Sequence, residues 1–136
     1  FHFSLITRHS SLVTHHSLLI TTMRQFHHIG LPTDECQAGE TYVPASKVWV
    51  TDPLKHKYRI EYLRYESDSP VTGVVRDLPH IAFRVDSLEA AIAGEKVALG
   101  PFEAMPGLRV VFVEKDGAVF EFMEFAAGPG AAEWGK

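Results

Sequence analysis

The sequence predicts an α+β domain assembled from two related halves, and three observations carry that expectation. The first is a degenerate duplication. His28-Ile29-Gly30-Leu31 precedes Arg59-Ile60-Glu61-Tyr62-Leu63, and His80-Ile81-Ala82-Phe83 precedes Val119-Phe120-Glu121-Phe122. Each half thus holds a His-Ile strand and then a Glu set between apolar residues. The two histidines are 52 residues apart and the two glutamates 60, as a repeat with an insertion in the second copy would give. The second observation is the period-two patterning of these stretches, which places alternate side chains on opposite faces of a strand. The third is a helix signal after the His80 strand, followed by an Asp-Gly hairpin signal at Asp116-Gly117.

Taken in order, residues 1–22 are rich in Ser, Thr and His and contain no acid, and Met23 stands just before the first strand. They are expected to be a leader outside the native fold, with a transit peptide as the alternative. The run Ser17-Leu18-Leu19-Ile20 is too short for a membrane span. The domain is expected over 23–126, in modules of about 25–70 and 78–125, with a flexible tail over 127–136. Residues 25–32 form the first strand, in which alternation turns His27 away from His28. Residues 33–46 read as a loop or short helix closed by Gly39. Lys47–Thr51 reads as a strand from its β-branched and aromatic content. Pro53 breaks the chain into a turn, Tyr58–Tyr65 is the Glu61 strand, and residues 66–73 are a polar link.

In the second half, Pro79–Val85 is the His80 strand. Asp86 caps a helix with Glu89 three residues on, Leu88, Ala91 and Ile92 make its apolar face, and Gly94 ends it. That helix is expected to cover Ile81, Phe83 and Val85. Lys96–Leu99 reads as a short strand and residues 100–107 as a loop over the mouth of the fold. Leu108–Val113 and Ala118–Phe125 form the closing hairpin.

Alternation places His28 with Gly30, Glu61 with Arg59 and Leu63, His80 with Ala82 and Arg84, and Glu121 with Val119 and Met123. A carboxylate inside an apolar strand is costly unless it is paired or metal-bound. A single strand Glu is commonly an edge residue facing water, and a single strand His a hydrogen-bonded filler. Neither reading explains matched positions in both halves. Two carboxylates and two imidazoles point instead to one divalent metal with an N2O2 shell, which suits Ni, Zn, Co, Mn or Fe. Arg84 and Arg59 are candidates to anchor an anionic substrate, or to form internal salt bridges with Glu61 or Glu121.

The net charge of −4 supplies no basic excess for nucleic acid. The single Cys36 excludes an intrachain disulfide and fits a reducing, cytoplasmic setting.

These residues resemble the vicinal-oxygen-chelate superfamily, which includes glyoxalase I, methylmalonyl-CoA epimerase, extradiol dioxygenases and bleomycin- and fosfomycin-type resistance proteins. Phe26-His27-His28-Ile29-Gly30-Leu31 looks like the family's first strand. Ile60-Glu61-Tyr62-Leu63, Asp68-Ser69-Pro70 and His80–Val85 look like its mid-chain signature, and Val111–Phe122 like its closing strand pair. The resemblance implies two βαβββ modules forming an open half-barrel around a metal held by His28, Glu61, His80 and Glu121. The first module is shortened, because only Thr33–Glu40 stands where the family places a long helix. The His-Glu-His-Glu set is similar to bacterial glyoxalase I, whereas Ser69-Pro70 and the short link to His80 look epimerase-like.

The implied reaction is lyase or isomerase chemistry on a small α-hydroxycarbonyl or thioester through a metal-stabilised enediolate. Glu121 would be the base and Glu61 the alternative. The other readings are a metal-free antibiotic-binding protein and an Fe(II) dioxygenase; a fourth protein ligand disfavours the latter. A homodimer is implied as well.

Overall fold

The computed structural model describes residues 24–127. The leader and nearly all of the tail expected from the sequence lie outside them. Eight strands make up most of the fold: β1 (Arg24–Pro32), β2 (Thr41–Val43), β3 (Val48–Val50), β4 (Ile60–Tyr65), β5 (His80–Val85), β6 (Lys96–Met105), β7 (Leu108–Lys115) and β8 (Ala118–Phe125). They join in one curled sheet with the order β2-β3-β4-β1-β5-β8-β7-β6. Two single-turn helices accompany it, α1 (Val74–Asp77) and α2 (Leu88–Ala91), with a 3-10 turn at Pro53–Lys55.

The strand order is symmetric. Exchanging β1–β4 with β5–β8 reverses it without changing any neighbour. β1 is parallel to β4, β5 is parallel to β8, and the two modules meet where β1 runs antiparallel to β5. This is the α+β half-barrel of paired modules expected from the sequence. The register shows why the His and Glu positions recur. Gly30, two residues after His28, lies opposite both Glu61 and His80. Ala82, two residues after His80, lies opposite both Glu121 and His28.

The two halves differ in how their outer faces are covered. In the second, α2 packs Leu88 and Ala91 on Val85, Val111, Val113 and Phe122. β7 is therefore buried on both faces, since Val110 and Phe112 belong to the inner cluster with Ala82, Val119 and Met123. Continuous apolar runs are the mark of such strands. In the first half no helix separates β1 from β2, and Ile29, Ile60 and Tyr62 are only half-buried. The connecting segment is fixed instead by a bidentate pair in which Arg64 Nε and Nη2 donate to Glu40 at 3.0 and 2.8 Å.

Four local expectations need correction. Residues 100–107 are not a loop, because β6 runs unbroken to Met105 with three register shifts against β7. It is an edge strand, where proline and bulges are tolerated. The opposite edge strand, β2, lies within the segment read as loop or short helix. The helix cap is Ser87, whose Oγ accepts from Ala90 N at 3.2 Å, and not Asp86. Finally, the helix is one turn long and leaves Ile81 37% exposed. At the closing hairpin, Asp116 and Gly117 both have positive φ (53° and 79°), as a two-residue turn of primed type requires.

Candidate metal centre

Each of the four central strands contributes a polar side chain to one cluster inside the half-barrel: His28 from β1, Glu61 from β4, His80 from β5 and Glu121 from β8. All four are buried. His28 Nε2 lies 3.5 Å from Glu61 Oε1, 3.3 Å from Glu121 Oε2 and 3.3 Å from His80 Nε2. His80 Nε2 lies 3.1 Å from Glu121 Oε2 and 4.0 Å from Glu61 Oε1. The ligand atoms of His28, Glu61 and His80 all fall within 4.8 Å of one another. Donors about 2.0–2.1 Å from one tetrahedral ion stand about 3.3–3.4 Å apart. The observed separations bracket that value, so His28, Glu61 and His80 could hold a single divalent ion, with Glu121 Oε2 within 3.3 Å of both imidazoles.

Without an ion, the cluster is held together by charge. Burial disfavours the cationic form of His28, but the Glu61 and Glu121 carboxylates outweigh it and raise its pKa to about 10. Burial likewise favours the neutral acid at Glu121, and the hydrogen bonds from His28 and His80 overcome this and hold the carboxylate ionised. Such a network is expensive to bury. An ion that replaces the imidazole protons supplies the same compensation with a higher charge.

His27 does not point away from His28. A bulge between Phe26 and His28 breaks the alternation. Both imidazoles are buried, with His27 Nδ1 2.7 Å from His28 Nδ1. Burial, followed by the neighbouring His28, lowers the His27 pKa to about 4, so this imidazole is neutral at ordinary pH.

Arg59 and Arg84 lie elsewhere. Arg59 adopts φ 59° just before β4, and its Nε donates to the His27 carbonyl at 2.8 Å, strapping β4 to β1. Arg84 is exposed, with its guanidinium 4.9 Å from the Phe125 ring centroid. Neither residue lines the cavity beside the His/Glu cluster, and neither forms an ion pair with Glu61 or Glu121.

That cavity encloses about 540 Å³ of empty space, including its open mouth. Glu61, His80 and Glu121 form its polar end. The remaining wall comes from β2, β3, β4, β6, β7, α1 and the connecting segments, including Val48, Leu63, Phe102, Met105 and Phe112, with Ser46 and Tyr65 as its other polar residues. Phe112 meets His80 edge to face, at 5.3 Å and 86°. Among the described residues, no lysine or arginine lines it. The part played by β6 was hidden in the sequence by Gly100-Pro101 and Pro106-Gly107, which read as loop.

No protein-family model matches the chain, and no curated protein matches its sequence. Among solved structures, the chain is similar to a hypothetical protein, BH1468, from Bacillus halodurans C-125. The TM-score is 0.60 and the identity 21%, covering 77% of this chain and 96% of that one. It is also aligned with a mutant of 4-hydroxymandelate synthase from Streptomyces coelicolor at TM-score 0.42 and 14% identity, over 79% of this chain and 50% of that one. The first of these likenesses supports the fold. Among the described residues, no helix is long and apolar enough to cross a membrane.

Proposed function

We propose that the chain is a metal-dependent lyase or isomerase of vicinal-oxygen-chelate type, acting on a small α-hydroxycarbonyl or thioester with an apolar body. One observation carries this reading: four buried donors converge, and three of them, Glu61, His80 and Glu121, form one end of a cavity whose wall is otherwise almost wholly apolar. His28, Glu61, His80 and Glu121 would hold the ion. A divalent ion held there would supply Lewis-acid stabilisation of the negative charge that develops on a carbonyl oxygen. The apolar wall binds the substrate body and excludes water, which strengthens every charge interaction at the polar end. Glu121 is the base that takes the C–H proton on a carboxylate oxygen, and Glu61 is the alternative. Among the described residues no lysine or arginine lines the cavity, which suits an apolar substrate body.

The same reading takes the protein as a cytoplasmic homodimer. The lone Cys36 fits a reducing compartment. The half-covered outer face of β1 and β4 offers a surface for a second copy.

The test is solvent-deuterium exchange at the carbon beside the carbonyl, followed by NMR. A panel of hemithioacetals, α-hydroxyketones and acyl thioesters is offered to the metal-loaded protein. Exchange on at least one class, slowed about 100-fold or more in Glu121→Gln, is expected of a lost general base. No exchange on any class overturns the enzyme reading. The apolar wall also favours a second reading, a binding protein that sequesters a small apolar compound. Ligand-induced thermal shifts that need no metal would support it.

A further inference from the structure

His27 has no part in the ligand set, yet it is buried within it. We propose that His27 is a positioning residue for the metal centre: its Nδ1 accepts a hydrogen bond from His28 Nδ1–H and so keeps the His28 Nε2 lone pair directed at the ligand cluster. This inference rests on the reading of His28 as a metal ligand.

Two imidazole nitrogens 2.7 Å apart must share one proton between them. This bond therefore couples the tautomers of the two rings. When His28 carries its proton on Nε2, that proton points at Glu61 and Glu121, 3.5 and 3.3 Å away, and no lone pair is left for an ion. When the proton sits on Nδ1, Nε2 presents its lone pair to the ligand cluster. A buried Nδ1–H without an acceptor is unfavourable. His27 removes that cost by accepting it.

The local structure is built to hold the acceptor in place. The bulge in β1 turns His27 inward beside its neighbour, with ring centroids 5.0 Å apart at 79°. Arg59 Nε grips the His27 carbonyl at 2.8 Å, and the Arg59 carbonyl accepts from Ile29 N at 3.0 Å, so the backbone is pinned on both sides of His28. The ring of Phe125 packs against His27 at 5.9 Å. A neutral His27 that accepts at Nδ1 carries its own proton on Nε2. That atom is buried with no hydrogen-bond partner among the described residues. Among the described residues, Nδ1 is therefore the ring nitrogen that has a hydrogen-bond partner, and that partner is His28.

The test compares His27→Asn, whose Oδ1 keeps an acceptor near the position of Nδ1, with His27→Phe, which keeps the ring and removes the acceptor. Zinc and nickel affinities are measured by competition with a chromophoric chelator on the full chain, with His2, His9, His15 and His16 changed to Ala in every sample. Melting of the metal-free proteins is recorded beside them. His27→Phe is expected to fold and to bind metal about 10–100-fold more weakly, the usual effect of losing such an outer partner. His27→Asn should stay within a few-fold of the parent. Equal affinity in His27→Phe and the parent overturns the inference, as does an Asn variant as weak as the Phe variant.

If His27→Phe fails to fold, 15N-histidine NMR of the zinc-loaded parent decides. A protonated His28 Nδ1 coupled through the hydrogen bond to His27 Nδ1 supports the inference, and a His28 without that coupling sinks it. A parent that binds no metal overturns both the metal reading and this inference. A parent that binds while His27→Phe is unaffected overturns this inference alone.

Discussion

Gly30 and His80 occupy one space. The two residues are paired across β1 and β5, and a Cβ built on Gly30 would fall within the His80 imidazole. The residue at position 30 is glycine for close approach, since its φ lies outside the left-handed region. Gly30→Ala should expel the His80 ring from the cluster. Expected is a folded protein whose metal affinity falls at least as far as in His80→Ala, measured by the same chelator competition. Affinity equal to the parent would show that the ring has room to move.

The titrating groups predict a stability maximum near pH 6.5 for the metal-free protein. The His28 pKa is raised from 6.5 to about 10, so its contribution is complete below about 6.5 and is lost as pH rises through about 10. The Glu121 pKa is depressed, so its contribution is present above the unfolded value and is lost as pH falls. The His27 pKa is lowered to about 4, so between about 6.5 and 4 the unfolded chain binds a proton that the folded one refuses. That too destabilises the fold on the acid side. A loss of about 1 kcal/mol lowers the melting temperature of a domain of this size by about 4–8 °C. Melting curves from pH 4 to 10 should fall on both sides, and saturating zinc should flatten the alkaline limb by replacing the His28 proton.

Phe112 supports both core and site. It is 6% exposed, belongs to the inner cluster and meets His80 edge to face. Phe112→Ala should cost about 3–5 kcal/mol of folding stability. It should also weaken metal binding, because the ring that packs on His80 is gone. Urea denaturation and metal competition read the two effects separately.

The pair of Arg64 with Glu40 fixes the segment that takes the place of a helix in the first module. Glu40→Gln should lower the melting temperature by a few degrees and leave metal affinity unchanged, since neither residue touches the cluster. A loss of metal binding in this variant would show that the segment also holds the site in place.

The sequence exposes those parts of the molecule in which the physics is periodic. β8 begins and ends at Ala118 and Phe125 as alternation and the Asp-Gly turn predict. The four clustered side chains stand at duplicated positions because the same register recurs around Gly30 and Ala82. What stayed hidden lies where the period breaks. The β1 bulge brings His27 inward, and strict alternation turns it outward. β6 carries glycine and proline that an edge strand tolerates and a sequence pattern reads as loop. Arg59 and Arg84 share a face with the clustered His and Glu residues by alternation, yet one lies before its strand in a left-handed conformation and the other near the end of its strand in solvent. Alternation gives the face of a residue but not its distance from the centre of the cup.

The most direct measurement is metal stoichiometry at equilibrium for the chain with His2, His9, His15 and His16 changed to Ala, beside the same chain carrying Glu121→Gln. One divalent ion per chain, bound at least about 100-fold more weakly in the variant, is the expected result. Absence of binding when nickel, cobalt, zinc, manganese and iron(II) are offered in turn, or binding indifferent to Glu121, would contradict the four-donor centre.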